Sequence, residues 1–111
     1  MNIEIKIGLS NIDWDDLFSL YATIGLVAGN GKKRNNNTIK RAFENSYKVV
    51  LALENNKIVG AGRMVSDGLC YGMIFDVGIF PEYQKKGIGK MIMNNLIKNE
   101  EKLCIHLTST F

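Results

Sequence analysis

Proline is nearly missing from this chain, and cysteine, histidine and tryptophan are almost as scarce: one proline, Pro81, one histidine, His106, one tryptophan, Trp14, and two cysteines. Each scarcity excludes something. Cys70 and Cys104 form no Cys-x-x-Cys pair, so neither a disulfide framework nor a zinc cluster is indicated, and both are expected to be buried reduced thiols. Cys104 and His106 would share a strand face, but two ligands do not make a metal site, and no metal is expected. No apolar run approaches the ~20 residues that span a bilayer, and Met1-Asn2-Ile3-Glu4 is no secretory signal, so the expected place is the cytoplasm, without membrane association. Excess charge is small, a net +3, which suits anionic ligands as well as nucleic acid.

What is present fits one compact domain with a real core, 111 residues of which 46% are hydrophobic and 23% charged. Ile3, Ile5 and Ile7 alternate with polar residues, the period of a half-buried first strand. Asp13 can cap a helix whose Trp14, Leu17, Phe18 and Tyr21 share one face. Residues 25–37, rich in glycine, asparagine and base, read as a surface loop, and its Lys32-Lys33-Arg34 run reads as a solvated charge cluster. Residues 38–46 resume a helical period through Ile39, Ala42 and Phe43. Residues 47–53 are almost continuously apolar, as in a central strand covered on both faces. Asn55-Asn56 turns the chain into a partner strand, 57–65, in which Gly60 and Gly62 leave room for close packing, and Asp67-Gly68 marks the next turn.

The most informative stretch runs from 73 to 96. An apolar strand, 73–80, is closed by Pro81, which can donate no further ladder hydrogen bond. Then come Gln84-Lys85-Lys86-Gly87-Ile88-Gly89-Lys90 and a helix with Ile88, Met91, Ile92, Asn95 and Leu96 at helical spacing. Gly87 and Gly89 put no side chain in the way, so the first amides of that helix can converge on an anion at the positive end of the helix dipole. A dinucleotide fingerprint would need a third glycine where Ile92 stands, and a Walker loop would need Gly-Lys-Ser/Thr; both fail. Residues 103–108 read as a last strand, joined through the helix to the strand before it, and so parallel to it.

Gln84-x-x-Gly87-x-Gly89, after a strand and opening a helix, resembles the acetyl-CoA loop of the GNAT superfamily of N-acetyltransferases. Gly-x-Gly alone would say little in a chain with 11 glycines; the conjunction carries the resemblance. It implies an α/β fold, a mixed, mostly antiparallel twisted sheet with flanking helices in the order βααβββαβ. One GNAT-like domain over 1–111 would then lack the family's usual C-terminal helix and last two strands. It implies acetyl-CoA as co-substrate, a primary amine of a small molecule or peptide as acceptor, and no nucleic-acid partner. Residue by residue, Val77, Gly78 and Ile79 would face the pantetheine arm and thioester, while Gln84, Lys85, Lys86, Gly87, Ile88, Gly89 and Lys90 would hold the pyrophosphate.

The chemistry asks for more. An amine with a pKa near ~10 costs about 4 kcal/mol to deprotonate at pH 7, so a base is wanted, and Asp76 is the best-placed carboxylate. Its plainer reading is a strand aspartate bonded to a neighbouring turn. The family's usual acid is a tyrosine on the helix after the fifth strand, a role to which Tyr21, Tyr47, Tyr71 and Tyr83 cannot be transferred by spacing. A CoA-binding module with little or no turnover is therefore the alternative function. If the last strand is an edge, its unpaired backbone beside Leu103, Ile105 and Leu107 invites a homodimer.

Overall fold

A computed structural model describes residues 1–25 and 34–107. Its elements follow in the order β1 (Glu4–Ile7), α1 (Trp14–Ile24), α2 (Asn36–Glu44), β2 (Lys48–Glu54), β3 (Lys57–Ser66), β4 (Tyr71–Ile79), a short 3-10 turn (Pro81–Tyr83), α3 (Ile88–Ile97) and β5 (Cys104–Leu107). This is the βααβββαβ order anticipated. The five strands form one sheet ordered β1-β2-β3-β4-β5, antiparallel throughout except that β4 and β5 run parallel.

Local chemistry sets most of the boundaries. Asp13 accepts from the Asp15 amide and starts α1, while Gly25, at φ 76°, ends it. Asn35 caps α2 by accepting from the Thr38 amide, so that helix begins two residues before the periodicity suggested. Asn55 and Asn56 have φ of 51° and 65°, the left-handed pair that a two-residue hairpin turn requires. Asp67 Oδ1 accepts from the amides of Leu69, Cys70 and Tyr71 and so knots the β3–β4 turn.

The sheet buries both faces, as the unbroken apolar run of β2 requires. On one face Val50, Ala52, Val59, Met64 and Ile74 pack against Ile88, Ile92 and Leu96 of α3. On the other, Val49, Leu51, Ile58 and Ala61 pack against Leu17, Leu20 and Tyr21 of α1 and Ile39 and Phe43 of α2. Gly60 and Gly62 lie beneath α3: a Cβ on Gly62 would stand 2.9 Å from Ile92 Cγ2, and one on Gly60 would stand 3.1 Å from Ile92 Cδ1. Lys48 ties the far end of α3 to the sheet, donating to the carbonyls of Asn95, Leu96 and Lys98 and pairing with Glu100 at 3.0 Å.

Two expectations need correcting. Cys70 and Cys104 are free, but exposed: one lies in the turn before β4 and the other on β5, the last strand of the sheet among the described residues. Ile7 is 53% exposed although Ile3 and Ile5 pack on the core, because the strand period outlasts the cover at that end. Lys32 and Lys33 of the basic run, and Thr108 of the last strand, lie outside the described residues. Among the described residues no helix is long and apolar enough to cross a membrane, and no group of three or more metal-ligating side chains gathers; Cys104 Sγ and His106 Nε2, 3.5 Å apart, remain a pair.

Candidate active site

The site is built where β4 stops behaving as an ordinary strand. Ala61 of β3 faces Gly78 and Arg63 faces Phe75, so Asp76 and Val77 together oppose Gly62: a β-bulge, with Asp76 in the left-handed conformation at φ 60°. On its other side β4 pairs with β5 over residues 71–74 only. Residues 75–79 therefore have no ladder partner on that side among the described residues.

Which backbone groups turn away from β3 follows from one hydrogen bond. Phe80 N–H donates to Val59 O at 3.0 Å, so it points at β3, and strand alternation turns the backbone groups of Ile79 and Val77 the opposite way. Gly78, between them, turns its backbone to β3. Its own contribution is the missing side chain, since a Cβ there would overlap Ile24 Cδ1 of α1. Of the three β4 residues expected along the pantetheine arm, Val77 and Ile79 turn their backbone groups away from β3, while Gly78 lets the helix close over the strand.

Beyond β4 the chain makes its 3-10 turn, and Gln84 Nε2 reaches back to donate to Ile79 O at 3.0 Å. The glutamine thus fixes the loop to the strand end. Lys85 at φ 64° and Gly87 at φ 83° then bend the backbone so that successive amides converge, as in an anion-holding nest. Gly87 O accepts from Met91 N as the first bond of α3, and no side chain among the described residues caps that helix end. Among the described residues, the amides of residues 85–90 have no protein acceptor. A Cβ on Gly87 would meet nothing within 4 Å among the described residues. Free amides at the positive end of a helix dipole favour an anion, and Lys85, Lys86 and Lys90 belong to the same segment.

The side chain at the bulge has partners that the sequence did not announce. Asp76 is 8% exposed, and its Oδ2 accepts from Arg34 Nη1 at 2.8 Å and from Arg63 Nε at 2.9 Å. Arg63 lies against the rings of Phe43 and Phe75, 5.8 and 5.4 Å from their centroids, and reaches Ser46 Oγ at 3.3 Å. Burial pushes the Asp76 carboxyl up, but the hydrogen bonds and charges of the two guanidiniums outweigh it and hold the group below the usual aspartate value. The carboxylate expected to serve as base is thus ionised and doubly engaged. Beside it, the buried Tyr21 hydroxyl donates to the backbone carbonyl of Asp76 at 2.6 Å, and burial together with the Asp76 charge raises its pKa well above 10, so it stays a neutral donor. Tyr21, Arg34 and Arg63 are the residues that sequence reasoning missed in this site. A lone aspartate inside an apolar strand was the signal that a counter-charge had to exist nearby.

The fold is shared with known proteins. The profile of the acetyltransferase (GNAT) family matches residues 9–108. The chain belongs to the GNAT family. An uncharacterised N-acetyltransferase of Gracilaria tenuistipitata var. liui is 36% identical over 93 residues, covering 80% of this chain and 48% of that protein. Its counterpart in Porphyra purpurea is 33% identical over 92 residues, covering 79% of this chain and 50% of that one. The chain thus spans about half the length of the curated relatives it matches. Among solved structures, a GNAT family acetyltransferase of Streptococcus pneumoniae superposes with a TM-score of 0.80 at 26% identity, over 98% of this chain and 76% of that one. The ribosomal-protein-S18-alanine N-acetyltransferase of Escherichia coli superposes with a TM-score of 0.72 at 17% identity, covering 94% and 66%, a likeness of fold alone.

Proposed function

We propose that this GNAT chain transfers the acetyl group of acetyl-CoA to a primary amine of a small molecule or peptide by direct attack in a ternary complex. The observation that carries this reading is the run of six amides at residues 85–90, which have no protein acceptor among the described residues and follow directly on the end of β4. The pyrophosphate takes those amides together with Lys85, Lys86 and Lys90. The pantetheine arm lies along Val77 and Ile79, with Gln84 holding loop and strand in register.

The acceptor nitrogen attacks the thioester carbonyl carbon; an N–C bond forms, the C–S bond breaks, and the electron pair leaves with sulfur. The proton lost by nitrogen reaches the thiolate through water. In this reading the N–H of Ile79 meets the charge that develops on the carbonyl oxygen, an interaction of about 3 kcal/mol for one good donor. Asp76, engaged by two guanidiniums, is a weak proton acceptor. Its part in this reading is to fix the bulge at which the thioester sits, and proton removal falls to water.

That same engagement favours, as a second reading, a CoA-binding module with little turnover. Calorimetry with acetyl-CoA tests both readings, and the absence of heat at high micromolar cofactor would refute them. Thiol release on an amine panel then separates enzyme from module. The homodimer expected across the outer edge of β5, where Leu107 is 56% exposed, is a further part of the proposal, and sedimentation as a monomer at micromolar concentration would refute it.

A further inference from the structure

Cys104 and His106 stand two residues apart on one face of β5, both exposed, with Sγ and Nε2 3.5 Å from one another. A tetrahedral zinc, bonded at ~2.3 Å to sulfur and ~2.0–2.1 Å to nitrogen, sets those two atoms about 3.6 Å apart. The pair already has the bite of a zinc chelate. No third ligating side chain joins it among the described residues.

What would complete the set follows from the backbone of the same strand. Cys104 N–H donates to Cys70 O at 2.8 Å, and the parallel register with β4 continues through His106. Cys104 and His106 thus turn their backbone groups toward β4, and alternation turns the N–H and C=O of Ile105 the other way. A second copy that meets this side antiparallel, with Ile105 opposite Ile105 on a two-fold axis, exchanges two hydrogen bonds at that residue. Cys104 of each copy then lies directly across from His106 of the other, Cα atoms about 4.5 Å apart and all four side chains on one face. Two thiolates and two imidazoles gather there. The two Cys104 residues stand on the diagonal, ~7–8 Å apart, beyond the ~4.4–6.8 Å that a disulfide usually spans.

The rest of the strand suits this pairing. Cys104-Ile105-His106-Leu107 contains none of the lysines or prolines that keep edge strands apart. On the face toward α3, where Leu103 and Ile105 pack on the core, the pairing sets the exposed Leu107 of one copy across from Leu103 of the other. On the opposite face Tyr71 and Met73, the β4 partners of Cys104 and His106, are exposed apolar side chains, and the Tyr71 ring lies 6.3 Å from that of His106. They flank the four ligands and restrict the access of water. Two thiolates cancel the charge of a zinc ion, so the site is neutral in this apolar setting.

We propose that Cys104 and His106 of two copies bind one zinc ion across a β5–β5 ladder, at a site incomplete in either chain alone; this inference rests on the homodimer read across the outer edge of β5. On binding, each thiol loses its proton to solvent, and each imidazole coordinates as the neutral ring through Nε2. A tetrahedral set of two sulfurs and two nitrogens selects zinc over magnesium and calcium, which take oxygen.

The test is sedimentation of the full chain at micromolar concentration under a thiol reductant, with zinc sulfate or with EDTA. Zinc should strengthen dimer formation by at least about tenfold, with one zinc retained per two chains by metal analysis. Cys104→Ser and His106→Gln, both at exposed positions, should abolish the zinc effect. Neither should alter acetyl-CoA binding in calorimetry, since neither residue belongs to the 84–90 loop or to residues 77–79. Cobalt(II) in place of zinc should show the visible absorption of tetrahedral cobalt with sulfur ligands, and lose it in both variants. A dimer indifferent to EDTA and to both substitutions would overturn the zinc site and leave the dimer standing. A chain that stays monomeric with zinc would remove the dimer and the zinc site together. One zinc per chain, an octahedral cobalt spectrum, or zinc binding that survives both substitutions would likewise overturn the inference.

Discussion

Replacing Asp76 with asparagine keeps the shape of the side chain and removes the charge on which two guanidiniums converge. The carboxylate is 5% exposed and its partners 14% and 21% exposed, so this is a buried ionic cluster with one thinly covered member. Removing one partner of a buried ion pair costs about 3–5 kcal/mol, and the partial exposure of Arg34 puts the expected loss near the lower end, about 3 kcal/mol. With a urea dependence of about 2 kcal/mol per molar, the unfolding midpoint should fall by about 1.5 M at pH 7. The pH dependence gives an independent check. Asp76 is depressed in the folded state relative to the ordinary ~3.9 of an unfolded chain, so its contribution is fully present above pH ~4 and is lost as pH falls through the depressed folded value. The gap between parent and Asp76→Asn should therefore be flat from pH 7 to about 5 and close in stronger acid. An Asp76→Asn midpoint equal to that of the parent at pH 7, or a gap that widens on acidification, would refute the assignment of Asp76 as a buried anion.

Other expectations are simpler to state. Gly89→Phe should weaken acetyl-CoA binding by at least about tenfold in calorimetry, because a ring there would crowd the amides offered to phosphate, while the thermal midpoint changes little, since its Cβ would meet only the far end of a flexible side chain, Ile79 Cδ1 at 3.2 Å. Tyr21→Phe leaves the Asp76 carbonyl without its 2.6 Å donor in a buried setting, which should cost about 1–3 kcal/mol in urea unfolding. In the same variant kcat should fall more than the affinity for acetyl-CoA, since the bulge moves and the phosphate loop does not.

The sequence showed most clearly what was decided within a few residues. Asp13 as a cap, Asn55-Asn56 as a turn and the passage from Pro81 through Gly89 each act over one turn of chain, and each stands where the local chemistry placed it. The continuous apolar run of β2 likewise announced two covered faces. The bulge was hidden, because nothing in Phe75-Asp76-Val77 states that two residues will oppose one. Arg34 was hidden for a different reason: it sits in a basic run that reads as solvated, and its partner is 42 positions away. Arg63 was closer to legible, since a hairpin joining β3 to β4 must bring it across from Phe75 and therefore near Asp76. The cysteines misled because the ordinary preference of a thiol for the interior is overruled at a turn and on an edge strand.

The two glycines of β3 have a reach beyond their own strand. A methyl on Gly62 would press on Ile92, Val77 and Leu96 at once, at 2.9, 3.1 and 3.2 Å, and one on Gly60 would press on Ile92 and Ile79. The altitude of α3 above the sheet is set by two absent carbons. Because the amides at the head of that helix are rigidly joined to its underside, a single alanine placed behind them would tilt the whole row away from Ile79, detuning the grip on a ligand that the substituted residue never meets.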